Sequence, residues 1–307
     1  MINLFSTIDE LKRYVKINAS IPYEAISPYI HDAMDIYIVP HIGEALASKA
    51  DEGLDSGLTE HVRRSLGPLT LALATDELGI QYGDSGITVD NVQGKRSPAN
   101  EAKIAAAKQN LFFRGMQALD RLLSYLSANT QEYPEYMNHE ATFLQSSCYI
   151  RSAMEFQEEG LVQIDGSTLT YRTMLPTIRQ IQDTTLVKLI SPDLADKLKE
   201  RKELSSPEKI LLGLVIRYLA NKTAEVYTSQ SSREQREAPG MPEYKPVIRP
   251  LYHDLQDTGN FFGRQADFYF SQINEYLELH PDEFGFAPSN ASMNYNEKER
   301  KLFTSII

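Results

Sequence analysis

Two histidine–aspartate dipeptides, His31-Asp32 and His253-Asp254, are the pairs in this chain most suited to hold a divalent cation. An imidazole beside a carboxylate supplies two ligands, and a metal shell needs three or four. His31 with Asp35 and His41 with Glu44 each place two further ligand types within one helical turn, again short of a full shell. The single cysteine, Cys148, lies in Gln-Ser-Ser-Cys-Tyr-Ile, and nothing near it supplies the base that would make a thiolate nucleophile. Gly94-Lys95-Arg96-Ser97 lacks the upstream glycine of a phosphate-binding loop. Asp35 recurs as Asp183 in a repeated stretch, where an acid in a fixed place reads as a buried or inter-helix hydrogen bond rather than a general base. These residues form no catalytic constellation, and the expectation is a protein that is not an enzyme and carries no metal or cofactor.

The elements that would position them are organised by an internal repeat. Shifted by 148 positions, Pro28–Leu78 falls on Pro176–Val226 without a gap, and 15 of the 51 pairs are identical where composition alone would give roughly 3. The identities are mostly packing residues, such as Ile30/Ile178, Ile42/Ile190, Leu46/Leu194, Leu66/Leu214 and Leu71/Leu219. What recurs is therefore a packing unit and not a reactive one.

Composition narrows the class further. A chain of 307 residues with 42% hydrophobic and 24% charged residues buries a sizeable core and predicts about two domains. A net charge of −11 argues against a surface that coats nucleic acid, with Lys95-Arg96 and Lys197–Lys202 the only basic stretches that stand out. One cysteine excludes an intrachain disulfide framework, and no apolar run is long enough to span a membrane. The expected setting is a cytoplasm, without a signal peptide.

Read in order, the pattern predicts a mainly α protein: two tandem repeated helical bundles, each with a small β-hairpin or projecting loop, over residues 1–135 and 136–307. Ser6–Lys16 reads as a short capped helix. In each repeat an apolar stripe with period four, such as Ile30, Met34, Ile38, Ile42 and Leu46, predicts a long helix broken near Pro40 or Pro192. Further helices start at Thr59-Glu60 and at Ser206-Pro207-Glu208. Ile87 to Gly94 alternates as a short strand or hairpin with Lys95-Arg96 at its tip, and Ser97-Pro98 opens a helix that runs to about Ala128. Residues 129–138 read as a polar linker. Leu161–Tyr171, with Asp165-Gly166 at its centre, predicts a second hairpin. An extended loop over 228–260, a helix over 261–280 and a tail ending in Leu302, Phe303, Ile306 and Ile307 complete the chain.

This order of elements, with Gly86-Ile87-Thr88-Val89 followed by Lys95-Arg96-Ser97-Pro98-Ala99, resembles the head-tail connector (head-completion adaptor) proteins of tailed bacteriophages, in particular those of phages of gut Bacteroidetes. The resemblance implies a structural virion protein at the neck, assembled in the host cytoplasm. It implies a homo-oligomeric ring, dodecameric in the family, that sits below the portal protein, extends the DNA channel and docks a tail or second ring protein. Genomic DNA would pass through without sequence-specific binding, which an acidic wall would favour, and no membrane is involved. The contact elements expected are Ile87, Val89, Val92, Lys95, Arg96, Leu302, Phe303, Ile306 and Ile307. The His-Asp dipeptides support an alternative, a helical metal-dependent phosphohydrolase or a ligand-binding regulator.

Overall fold

The structure, a computed structural model, describes residues 4–17, 21–78, 80–83, 86–89, 100–231, 244, 247–250 and 258–285. It is mainly helical. The first half opens with α1 (Ile8–Leu11), capped by Thr7 while the Glu10 carboxylate reaches back to the Ser6 amide at 2.7 Å. Then come α2 (Ser27–Ala33), a π-helical turn over Met34–Ile38, α3 (Val39–Ile42) and α4 (Glu44–Asp51). The π turn accounts for the period of four. On an ideal α-helix, residues spaced by four drift about 40° per step, so five in a row would wind off the core face. The wider turn and the break at Gly43 (φ 82°) return Ile30, Met34, Ile38, Ile42 and Leu46 to it, and all five are buried.

Helix α5 (Ser56–Ala74) is capped by Asp55, whose carboxylate accepts from the Leu58 amide at 3.0 Å. This start precedes the expected one at Thr59 because Asp55 supplies the cap oxygen that Thr59, bonded instead to the Ala50 carbonyl, does not. Strands β1 (Ile80–Gly83) and β2 (Gly86–Val89) pair antiparallel, with Tyr82 opposite Ile87 and Gly83 opposite Gly86. The hairpin therefore reverses between Gly83 and Gly86, and its tip is not Lys95-Arg96. Helix α6 (Glu101–Ala128) starts at an Asn100 cap rather than at Ser97. The expected polar linker holds α7 (Pro134–Met137), and Tyr133 and Tyr136 are among the largest fully buried side chains of the protein.

The second half carries α8 (Glu140–Ser146), α9 (Ala153–Glu158), β3 (Val162–Gln163), α10 (Thr168–Thr184), a 3-10 turn over Leu186–Lys188, α11 (Pro192–Glu200), α12 (Ser206–Ser231), β4 (Arg249–Pro250), α13 (Thr258–Leu279) and α14 (Pro281–Phe284). The second expected hairpin does not form. Asp165 and Gly166 do adopt positive φ, but Ser167 then caps α10 by accepting from the Thr170 amide at 2.9 Å, and β3 pairs with β4 instead. The alternation of Thr168-Leu169-Thr170-Tyr171 is overridden because Leu169, Tyr171, Met174, Leu175 and Ile178 bury along one helix.

Some local features recur at related positions in the two halves. Helix α4 begins at Glu44 and α11 at Pro192, 148 residues later. Tyr23 donates its hydroxyl to the Phe5 carbonyl, and Tyr171, again 148 residues on, donates to the Ile150 carbonyl at 2.6 Å. The α9 cap repeats that of α1: Ser152 accepts from Glu155, whose carboxylate accepts from the Arg151 amide at 2.6 Å. In each half the main packing is between the two long helices, α5 with α6 and α12 with α13. The buried apolar residues fall into two clusters, one running from Leu4 to Tyr136 and joined by Leu169, the other from Cys148 to Phe284.

A buried cation also crosses between the halves. Arg172 of α10 is 7% exposed, donates to the His41 carbonyl at 2.8 Å and to the Thr142 hydroxyl at 2.7 Å, and lies 4.8 Å from the centre of the Tyr136 ring. The His41 carbonyl is in the last turn of α3, where helix geometry leaves it without an amide partner. Burial, Arg172 and His139 push the His41 imidazole down to about 4.

Two predictions follow from this packing. Gly115 of α6 sits so close to α5 that an added Cβ would lie 2.5 Å from Leu69 Cγ, whereas at Gly213, inside α12, it would meet nothing within 4 Å. Gly115→Ala should therefore lower the unfolding free energy by about 1–3 kcal/mol and Gly213→Ala should raise it by about 0.5–1 kcal/mol, read from urea midpoints; shifts of the same sign would contradict this packing. His41 is neutral when folded and takes up a proton near its ordinary value when unfolded, so stability should be full above about pH 6.5, fall by roughly 3 kcal/mol as pH drops towards 4, and lose nothing more from this group below that. In His41→Gln the midpoint should depend much less on pH across this window, with His61 leaving a residual slope of the same sign; an unchanged slope would contradict the assignment.

Candidate functional site

The close approach at Gly115 shapes a cleft of about 450 Å³ on the first bundle. Helix α6 contributes Arg114, Gln117, Ala118 and Arg121, which recur at spacings of three, four and seven and so share one face. Helix α5 contributes Glu60, His61, Arg64 and Pro68, and the turn after α1 adds Arg13 and Tyr14. Four guanidinium groups thus face one carboxylate on a chain whose net charge is −11.

Internal bonds occupy that carboxylate. Glu60 accepts from the Tyr14 hydroxyl at 2.6 Å and from Arg64 Nε at 2.8 Å, and these bonds, the Tyr14 one foremost, hold it below the usual carboxylate range. Burial and the Glu60 bond raise the Tyr14 phenol. Arg114 donates to the Tyr14 carbonyl at 2.9 Å. Arg13 and Arg121 have no side-chain ion-pair or hydrogen-bond partner among the described residues. The arrangement is suited to hold an anion, because a guanidinium presents paired donors that match carboxylate or phosphate oxygens.

A polar chain backs the cleft. His61 stacks on Tyr125, with ring centres 4.5 Å apart and planes 21° from parallel, and burial together with Arg64 lowers its imidazole below the ordinary value. The Tyr125 and Tyr133 hydroxyls are 2.9 Å apart, and Tyr133 donates to Asp55 at 2.8 Å. Hydrogen bonds from Leu58 and Tyr133 lower the Asp55 carboxyl, while burial raises Tyr133 well above a normal phenol. Asp55 thus caps α5 and fixes the tyrosines under His61. A smaller crevice of about 260 Å³ adjoins on the same helix, where Phe113, Met116 and Asp120 of α6 meet Ile164, Thr170 and Tyr244. There Asp120 accepts from the Leu169 amide at 2.9 Å, so an acid of the first half helps to cap α10.

The residues singled out from sequence lie elsewhere. Ile87 and Val89 are on β2, opposite Tyr82 and Ile80. Val92, Lys95, Arg96, Leu302, Phe303, Ile306 and Ile307 fall outside the described residues, as does His253. Asp35 and Asp183 are exposed, and among the described residues Asp183 accepts only from its neighbour Gln182 at 3.3 Å and the repeated acid makes no inter-helix bond. Cys148 is fully buried, donates weakly to the Leu144 carbonyl at 3.5 Å, and has its thiol pushed up to about 11 by burial, which suits packing. Among the described residues no three His, Cys, Asp or Glu side chains gather at metal-ligand spacing. The arginine cleft forms no contiguous basic run in the sequence; its signal there is the seven-residue spacing of Arg114 and Arg121 on a long helix.

Residues 30–142 match the model of a family of unknown function, DUF6712, so the similarity covers α2 to α7 and the start of α8. No curated protein and no solved structure matches the chain.

Proposed function

We propose that this chain is a structural virion protein, a head-to-tail connector of a tailed bacteriophage. In this reading copies of the chain form a ring below the portal protein, extend the DNA channel and dock tail components. The observation that carries it is the build of the molecule: a mainly helical chain with two buried apolar clusters, tied by a buried guanidinium. Several of its polar groups are engaged in caps and ties, as with Asp55, Glu60, Asp120 and Arg172. A duplicated bundle gives two non-identical faces, one for a portal and one for the next ring.

The test is native mass spectrometry of the purified chain, alone and mixed with the portal protein of its own genome. A closed ring, formed alone or on the portal, is the expected result. A monomer or dimer that ignores the portal would overturn the proposal.

A further inference from the structure

The described residues of the second bundle end in a corner whose charge is opposite to that of the cleft. Helix α13 turns into α14 at His280-Pro281, and Glu275, Glu278, Asp282 and Glu283 are exposed there around Leu279, itself 69% exposed. None of these four carboxylates forms an ion pair with a described residue. The corner is held in shape before it meets anything: His280 Nδ1 lies 2.9 Å from the Tyr276 carbonyl, the two rings are 4.4 Å apart, and Phe284 is buried beneath.

We propose that the arginine cleft of one copy receives this acidic corner of a second copy, in a head-to-tail contact between unlike surfaces. The inference rests on the ring reading only for closure. Three observations select this occupant. Charge is complementary, with Arg13 and Arg121 on one side and Glu278 and Asp282 on the other, all four without an ion-pair partner among the described residues. Apolar surface is also matched, since Leu279 projects between the acids and Pro68 and Ala118 line the cleft. Among the described residues the corner has no other intramolecular seat: α13 packs chiefly on α12, β4 and α14. The corresponding corner of the first bundle differs, because its Tyr136 is buried under Arg172 of α10. That corner is closed within the chain, whereas no described residue covers the exposed acids of the α13–α14 corner. A contact between unlike surfaces is heterologous, so it propagates from copy to copy and closes into a ring when the rotation permits. Guanidinium–carboxylate pairs at an exposed rim are also screened by salt.

Sedimentation velocity on the full chain and on two charge reversals, Arg13→Glu with Arg121→Glu and Glu278→Arg with Asp282→Arg, tests this, with the portal protein added if the wild type assembles only on it. These side chains are exposed and the reversals break no internal bond of the described residues, and circular dichroism checks that the fold is kept. Each double variant should self-associate at least about tenfold more weakly than wild type, and an equimolar mixture of the two should recover assembly, because each reversed surface then meets its complement. Wild-type assembly should also weaken between about 0.05 M and about 0.5 M salt. Rings that persist in both variants would overturn this contact while leaving the connector reading in place. Salt-sensitive open oligomers lost in both variants and recovered on mixing would support the contact and remove the ring. A wild type that stays monomeric in every condition, or a cleft that binds inorganic phosphate or a short DNA duplex through Arg13 and Arg121 while assembly ignores both reversals, would overturn it.

Discussion

A guanidinium buried without a carboxylate holds the two halves of this protein in register. Arg172 gives up water for the His41 carbonyl, the Thr142 hydroxyl and the face of Tyr136, and a cation so placed is costly unless all its partners stay where they are. The carbonyl is available because α3 ends at Ile42, and the negative end of a helix is where a cation is favoured. Local features therefore converge on one tie. The break at Gly43 ends α3 and exposes the carbonyl, the one-turn helix α7 presents Tyr136, and α10 begins early enough to bring Arg172 between them.

With the halves tied in this way, what each presents to the outside becomes a property of the whole chain. The cleft depends on how near α6 lies to α5, which Gly115 sets against Leu69, and on the shared cap and tyrosine network from Asp55 to His61. The acidic corner depends on a proline-started turn locked by His280 and Tyr276. Neither requires a reactive group, and in both the charged side chains sit at the rim of a rigid packing unit. That division of labour fits a protein whose work is done by contact. An even surface charge of −11 would keep copies apart, and concentrating arginines in one place gives them a single favoured way to meet.

Much of the fold was legible in the sequence. The period-four stripe named the residues that bury in α2 to α4, because packing periodicity survives a π turn even when the turn itself is not foreseen. The 148-residue offset places Glu44 opposite Pro192, and a helix starts at each. Capping was legible in type but off by a few residues at Asp55 and Asn100, since several polar residues near each start compete and only the tertiary setting selects one. Leu161–Tyr171 misled for a stronger reason: the turn at Asp165-Gly166 forms, but burial of Leu169 and Tyr171 along α10 outweighs strand propensity. Tyr133 and Tyr136 looked like linker residues because their neighbours are polar. The cleft was legible only in part, as Arg114 and Arg121 on one helix face. Its other half, from Arg13 to Arg64, arises from which helices pack together.

The most direct measurement is the symmetry of the self-assembled particle by electron cryomicroscopy. The account predicts a closed ring with rotational symmetry alone, in which the α5–α6 face of every subunit meets the α13–α14 corner of the next. Particles built from two-fold pairs, with the same face of each subunit meeting itself, would contradict it.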